Sequence, residues 1–502
     1  MSSARSRRTC SRVSPARLRA AVLTLTVLAL GVCASAAAAA PQVNIASHGE
    51  APKPLPANVH YFKSIQSAVD ASLSGDWVLI APGIYTEAVK VSAAHSGIKI
   101  RGMNRNTVVL DGENKVANGI EISQANNVSV DNLTTRNFDE GEGCEDGCGN
   151  GIWWNGGDGS GKIGAHGWFG SYLTAYDTGL HGSYGIFTSN MIEGSWENIY
   201  ASGFNDSGIY LGACQECKAK INKATMENNA LGYSGSNSGG KLVIENSVFK
   251  GNAVGIAPNS ENPSDPPPPQ DGECNRPNIE NPNPTPTITK TDIPRCTILK
   301  HNLITENGNL SAPVNGSTEE APWGVGVELP GDYADLVENN TITNNPNNGV
   351  LAFEYPNPFP PGPETIFFQL AGNRVSSNKF AGNGNNPSPE LTGSQFTGDL
   401  SMLSDFAEAF GGPPSTSNNN CASGNSFADQ TFPVNIQGTW GCNHKTTPNP
   451  GGGPAAGVYL LTLIGEAKAI RELFPPVGQP APPAQPTMPN PCGGVPHNPL
   501  CK

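Results

Sequence analysis

Between residues 185 and 256 one short step returns four times, as Gly185-Ile186, Gly208-Ile209, Gly232-Tyr233 and Gly255-Ile256, at spacings of 23, 24 and 23 residues. Between the last two lies Lys241-Leu-Val-Ile-Glu-Asn-Ser-Val-Phe249, a run rich in β-branched residues that reads as strand. Upstream the step appears at Gly97-Ile98, Gly119-Ile120 and Gly151-Ile152, and downstream at Gly326-Val327 and Gly349-Val350. A period this short fits one turn of a β-helix and is too short for a helix-pair repeat. The 59 glycines and many asparagines supply the left-handed turn positions such a coil needs. Asn205, Asn229 and Asn252 each stand three residues before a repeat glycine, so an internal ladder of stacked amides is expected.

The entry to the repeat is more specific. Ser64-Ile65-Gln66-Ser-Ala-Val69 is followed by Gly75-Asp-Trp-Val-Leu-Ile-Ala-Pro-Gly-Ile-Tyr85-Thr-Glu87, then Ile98-Lys-Ile-Arg-Gly102 and Thr107-Val-Val-Leu-Asp-Gly112. These segments resemble the pectin-lyase-like superfamily. That resemblance implies an all-β, single-stranded right-handed parallel β-helix over residues 60–445. It also implies an N-terminal capping helix, with Ser64 as N-cap and Ile65, Ala68 and Val69 facing the first rung. It leaves the reaction open, since members include lyases, hydrolases, esterases, epimerases and proteins with no known reaction. The signatures of pectin methylesterases, polygalacturonase-like hydrolases and mannuronan epimerases are all missing. Gly156 to Lys162 has the spacing of a phosphate loop, but Ile163 stands where Ser or Thr is required.

Outside the solenoid the chain changes character. Residues 1–40 hold six arginines and no acid, then an apolar run from Leu18 to Val32 and Ala34-Ser35-Ala36, the layout of a secretory signal peptide. Residues 41–59 read as a linker. A Pro-rich insertion occupies 257–297, a Gly-rich linker and amphipathic helix 446–474, and a Pro-rich tail 475–502. The whole chain carries a net charge of −13, and the part after residue 40 carries −19. With no Lys/Arg cluster there, nucleic acid is excluded as a partner. No later segment is apolar enough to span a membrane. Ten cysteines remain in that part, in close pairs: 144–148, 214–217, 274–296, 421–442 and 492–501 are expected as disulfides. A link between 144/148 and 214/217 is the geometric alternative, and the CxxC at Cys214 to Cys217 has no metal-spaced partners.

Chemistry-bearing residues crowd where the repeat is longest. Trp153, Trp154, His166, Trp168, Tyr172, Tyr176, Asp177, His181 and Tyr184 lie within 32 residues, and Asp206 follows about one rung later. Trp153, Trp154, Trp168, Tyr172 and Tyr184 suit stacking on sugar rings. Tyr176 and His181 suit proton transfer, and Asp177 and Asp206 suit holding Ca²⁺ or orienting a base. Trp153, Trp168, Tyr176, Asp177, His181 and Asp206 are expected to line one groove. The expectation is an exported protein at the cell surface or beyond, binding a polysaccharide or cell-envelope glycan. As an enzyme it would be a lyase, epimerase or glycoside hydrolase. The alternative is a non-catalytic adhesion scaffold.

Overall fold

The computed structural model describes residues 40–501 apart from 140–147, 161, 215, 237, 260–293, 315, 320, 357–366, 407, 409–413, 444–448 and 450. Pro41–Lys502 forms one compact unit. The chain coils as a right-handed parallel β-helix, the hand nearly all parallel crossovers take. Each turn lays one strand on sheet A, one on sheet B and one on sheet C. Among the described residues these sheets have 13, 10 and 11 strands, and from Trp77 onward neighbours within each are consecutive turns of the coil. One such rung is Ser195–Glu197, Tyr200–Ser202 and Ser207–Gly212.

The Gly-apolar step has a steric cause. The apolar residue points inward and stacks on its counterpart one rung away: Ile120, Ile152, Ile186, Ile209, Tyr233 and Ile256 form one column. The glycine before it faces the carbonyl of the next rung's glycine. A Cβ at Gly255 would lie 2.3 Å from the Gly326 oxygen, and one at Gly232 would lie 2.4 Å from that of Gly255. Only glycine lets the rungs close to sheet spacing at this point. The turn from sheet A to sheet B uses one left-handed residue per rung, from Asn132 through Tyr172 and Asn198 to Ser377, with φ between 52° and 58°.

Buried amides satisfy the corners. Asn229, Asn252, Asn307, Asn345 and Asn383 form a ladder in which each Oδ1 accepts the backbone N–H and the Nδ2 of the preceding rung's Asn at 2.9–3.3 Å. Asn302, Asn340, Asn378 and Asn425 form a second. Asp335, Asn373, Asn420 and Asn449 form a third. These side chains complete backbone pairing where strand pairing stops. Asn205 is not a rung of the first ladder. Its rung has one residue more between the sheet B and sheet C strands, so Phe204 takes the equivalent place and donates its N–H to Asn229 Oδ1 at 3.1 Å. Asn205 Nδ2 donates instead to the Leu180 carbonyl at 2.8 Å.

Both ends are closed. Helix α1 (Ile65–Asp70) buries Ile65, Ala68 and Val69 on the first rung, and the Ser64 hydroxyl accepts the Ser67 N–H at 3.1 Å. Glu87 reinforces this cap by accepting the N–H groups of Ile65 and Gln66 at 2.8 and 3.0 Å. At the far end Ile436 of α2 (Ile436–Thr439) and the following Trp440 join the main core. Residues 41–59 are not a linker: Val43–Ala46 is a buried strand of sheet A, paired on both sides. Its four side chains are apolar or small enough for a two-sided buried position, which the proline-rich flank hides in the sequence.

The tail is a return strap. Helix α3 (Gly453–Leu473) packs Ala456, Tyr459, Leu460 and Leu463 against Phe353, Phe396 and Leu403. Tyr459 donates to Asn348 Oδ1 at 2.6 Å. The chain then runs back towards the N-terminal end. Val477 N–H donates to Ser311 O at 3.3 Å, and Gln485 and Asn106 exchange two hydrogen bonds at 2.8 and 2.9 Å. Buried Arg105 ties Pro486 O to Thr174 Oγ1 and Leu173 O. Val495, Leu500 and Cys501 finally pack on the cluster of Val43, Ile45, Val59, Trp77 and Leu79. Disulfides join Cys214–Cys217, Cys421–Cys442 and Cys492–Cys501. Cys148 and Cys296 are disulfide-bonded as well, while Cys144, Cys274 and most of the Pro-rich insertion lie outside the described residues. No helix among the described residues is long and apolar enough to cross a membrane.

Candidate functional site

Side chains alternate along a strand, so the residue after each inward isoleucine of sheet C points outward. In register along that outer face stand Lys90, Glu121, Trp153, Phe187, Tyr210 and Ser234. The three aromatics occupy successive rungs. Trp153 and Phe187 stack with ring centres 5.0 Å apart and planes 4° from parallel. Phe187 meets Tyr210 edge-on at 4.9 Å, and Tyr184 leans against both, at 4.6 and 5.0 Å. Trp153 Nε1 donates to Ser189 Oγ at 3.2 Å, which fixes the orientation of its ring. The result is an aromatic strip running along the solenoid axis, in which Phe187 is buried and the rings of Trp153, Tyr184 and Tyr210 are half-buried around it.

A carboxylate borders the strip. Tyr184 donates its hydroxyl to Asp206 Oδ2 at 3.1 Å, and Ser207 donates to Oδ1 at 2.6 Å. Asp206 is half-buried, and burial pushes its pKa up to about 6 against these two stabilising hydrogen bonds. A carboxyl poised there, held by a phenol beside an aromatic platform, has the chemistry of a proton-transfer group.

The remaining expected residues do not share this face. Trp154 and Trp168 are fully buried, and both rings lie against Trp196, at 6.0 and 4.6 Å. They are core residues and cannot touch a ligand; Trp154 follows the inward parity of Ile152. Tyr172 sits at the left-handed corner between sheets A and B. Tyr176 lies on the outer face of sheet B, where Arg136 donates to it at 3.1 Å and pairs with Asp111 at 2.6 Å. Asp177 is buried at the corner between sheets B and C, and its two oxygens accept the N–H groups of Gly179 and Gly182 at 3.2 and 3.1 Å. It braces the 177–183 loop, although burial also raises its pKa. His181 is exposed on that loop. The single groove expected from Trp153, Trp168, Tyr176, Asp177, His181 and Asp206 therefore resolves into separate faces, and only Trp153, Tyr184 and Asp206 stand together.

Phe187 and Tyr210 belong to the strip and escaped the sequence reading. Their signal is positional: each stands two residues after a repeat glycine, as Trp153 does. Among the described residues no group of three or more His, Cys, Asp or Glu gathers as a metal site. Ca²⁺ takes six to eight oxygens. The Asp177 oxygens serve backbone N–H groups and those of Asp206 serve two hydroxyls, so neither residue fits a Ca²⁺ cage.

No family model matches the chain, and no curated protein matches it. Solved structures are similar at low identity. The A-module of mannuronan C-5 epimerase AlgE4 from Azotobacter vinelandii is 15% identical, with 72% of this chain and 90% of that one covered and a TM-score of 0.42. An α-1,3-glucanase catalytic unit from Streptomyces thermodiastaticus is 13% identical, covering 73% and 66%, with a TM-score of 0.39. An alginate lyase from Paenibacillus is 16% identical, covering 65% and 92%, with a TM-score of 0.32. Identities this low assign no reaction to the chain.

Proposed function

We propose that the protein is exported and binds an extracellular polysaccharide along the outer face of sheet C, with Asp206 as the group that moves a proton on the bound chain. The observation that carries this is the placing of Trp153, Phe187 and Tyr210 on three consecutive rungs. Phe187 is buried and packs against Trp153, Tyr184 and Tyr210, whose half-buried rings leave aromatic surface for the apolar faces of sugar rings. The disulfides among the described residues support an oxidising compartment. Asp206 and Tyr184 at the border of the strip support catalysis over a purely adhesive role, because a packing need alone would not place a carboxyl with a raised pKa there.

The test is a glycan panel in affinity electrophoresis and calorimetry, with unsaturated ends, reducing ends and C5 inversion as readouts of chemistry. Trp153→Ala is expected to weaken binding by up to about tenfold, in line with the ~0.5–1.5 kcal/mol that a stacked ring contributes. Asp206→Asn should keep binding and lose turnover. Unchanged binding by Trp153→Ala at an unchanged melting temperature refutes the assignment of this face.

A further inference from the structure

The outer face of sheet C is open at one end and closed at the other. Its outward positions begin at Lys90, on the first strand of the sheet, which is exposed. They pass Glu121 and Trp153, both half-buried, on the way to Tyr210. One rung after Tyr210 the same position is Ser234, and one rung further it is Ala257, each only 4% exposed. A serine and an alanine on the outside of a coil are buried only when other parts of the chain lie over them.

That cover is identified at the neighbouring register position. Tyr184 and Ser207 are followed there by Leu231 and Val254, and these two belong to one apolar cluster with Ala456, Tyr459, Leu460 and Leu463 of α3. The 3₁₀ turn Gly316–Glu319 closes the border, where the Thr318 hydroxyl donates to the Asn205 carbonyl at 2.7 Å, next to Asp206. Asp206 therefore stands on the last open rung, and its carbonyl accepts the Leu231 N–H of the first covered rung at 2.8 Å. Rungs lie about 4.8 Å apart, which leaves the length of one sugar ring between Asp206 and the wall. The wall is packed core, since Ala456 and Leu463 are fully buried, and it is not a lid.

We infer that sheet C takes the end of a polysaccharide chain and not its interior. The terminal sugar sits against α3 and the Gly316–Glu319 turn, beside Asp206, and the rest of the chain leaves over Trp153 towards Lys90. A longer chain cannot thread past the wall, so chemistry at Asp206 is confined to the terminal sugar and its first linkage. The inference rests on the polysaccharide reading of the strip, and its test separates the two.

Full-length processed protein would be titrated with dextran, xylan, chitosan, polygalacturonate and alginate, each at two mean chain lengths, one half the other. The readout is the protein bound per gram of polymer at saturation. Sites at chain ends double per gram when the mean length is halved, whereas sites along the chain stay constant. Doubling is expected on any polymer that binds, and Trp153→Ala should weaken those sites by up to about tenfold at an unchanged melting temperature. Saturation per gram that is independent of chain length overturns the inference; if Trp153→Ala still weakens that binding, the polysaccharide reading stands. Binding that Trp153→Ala leaves unchanged, or binding to none of the five polymers, overturns both.

Discussion

Asp335 stands where the following rungs of its ladder carry asparagine, at Asn373, Asn420 and Asn449. Its Oδ1 accepts the Thr297 N–H at 2.9 Å, as an asparagine would, but its buried Oδ2 has no hydrogen-bond partner. The neighbouring Asn373 uses its Nδ2 to donate to the Asp332 carbonyl and to Asn420 Oδ1. A carboxylate has nothing to donate. Burial pushes the Asp335 pKa from 3.8 to about 7, against the Thr297 hydrogen bond and the attraction of Arg295. Asp332 and Tyr233 are the other titratable groups facing this corner. The folded state thus holds the proton more tightly than the unfolded chain does. Stability is undiminished below the unfolded pKa near 4 and falls as pH rises to 7. Three pKa units correspond to about 4 kcal/mol. Asp335→Asn restores the donor at nearly the same shape. The variant should match the parent at pH 4 and exceed it by up to about 4 kcal/mol at pH 8. Chemical denaturation at the two pH values, read as the difference between variant and parent, cancels the other raised carboxyls, Glu354 and Asp399 among them. An advantage equal at both pH values, or absent at pH 8, refutes the reasoning.

Three further outcomes follow from the packing. Gly255→Ala puts a Cβ 2.3 Å from the Gly326 carbonyl and should lower stability by about 1–3 kcal/mol or more, read by thermal unfolding. Ile65→Asp buries a charge under the N-terminal cap, and an equally soluble and stable variant would remove α1 from its capping role. Arg105→Ala takes three hydrogen bonds from the strap and its anchor, leaving the Pro486 carbonyl short of a donor while Leu173 O keeps the Tyr200 N–H. Limited proteolysis should then cut within residues 475–491 at lower protease concentration than in the parent.

The coil was legible because its cause is local and repeated. A glycine is needed wherever two rungs meet carbonyl to Cα, and an apolar residue must follow it, so both appear in the sequence at a fixed period. The ladder through Asn229 and Asn252 was legible for the same reason, and Asn205 shows the limit. One extra residue between two strands shifts the ladder position to Phe204, and no periodicity in sequence registers a local insertion of that size. The strap was not legible at all. Its proline-rich composition is that of a linker, and what docks it is Arg105, Asn106 and Asn132, about 350 residues or more away in sequence.

The site divides along the same line. Crowding in sequence drew Trp154, Trp168 and Asp177 into one group with Trp153 and Asp206, yet a β-helix sorts neighbours by parity before it sorts them by distance. Trp153 and Trp154 are adjacent in sequence and opposite in fate: one lies on the outer face and one beneath Trp196. Counting from the repeat glycine instead of along the chain separates them. Position two after Gly151, Gly185 and Gly208 gives Trp153, Phe187 and Tyr210, which are the strip. Position three gives Trp154, Thr188 and Leu211, each buried with its side chain in the coil. The corner residues obey a different rule, since a carboxylate such as Asp177 there is consumed by loop N–H groups unless the loop is short. Asp206 ends the four-residue connection 203–206, and its oxygens accept the hydroxyls of Tyr184 and Ser207 in place of loop N–H groups. On the proposed reading the ligand-facing side chains are therefore the outward positions counted from the repeat glycine.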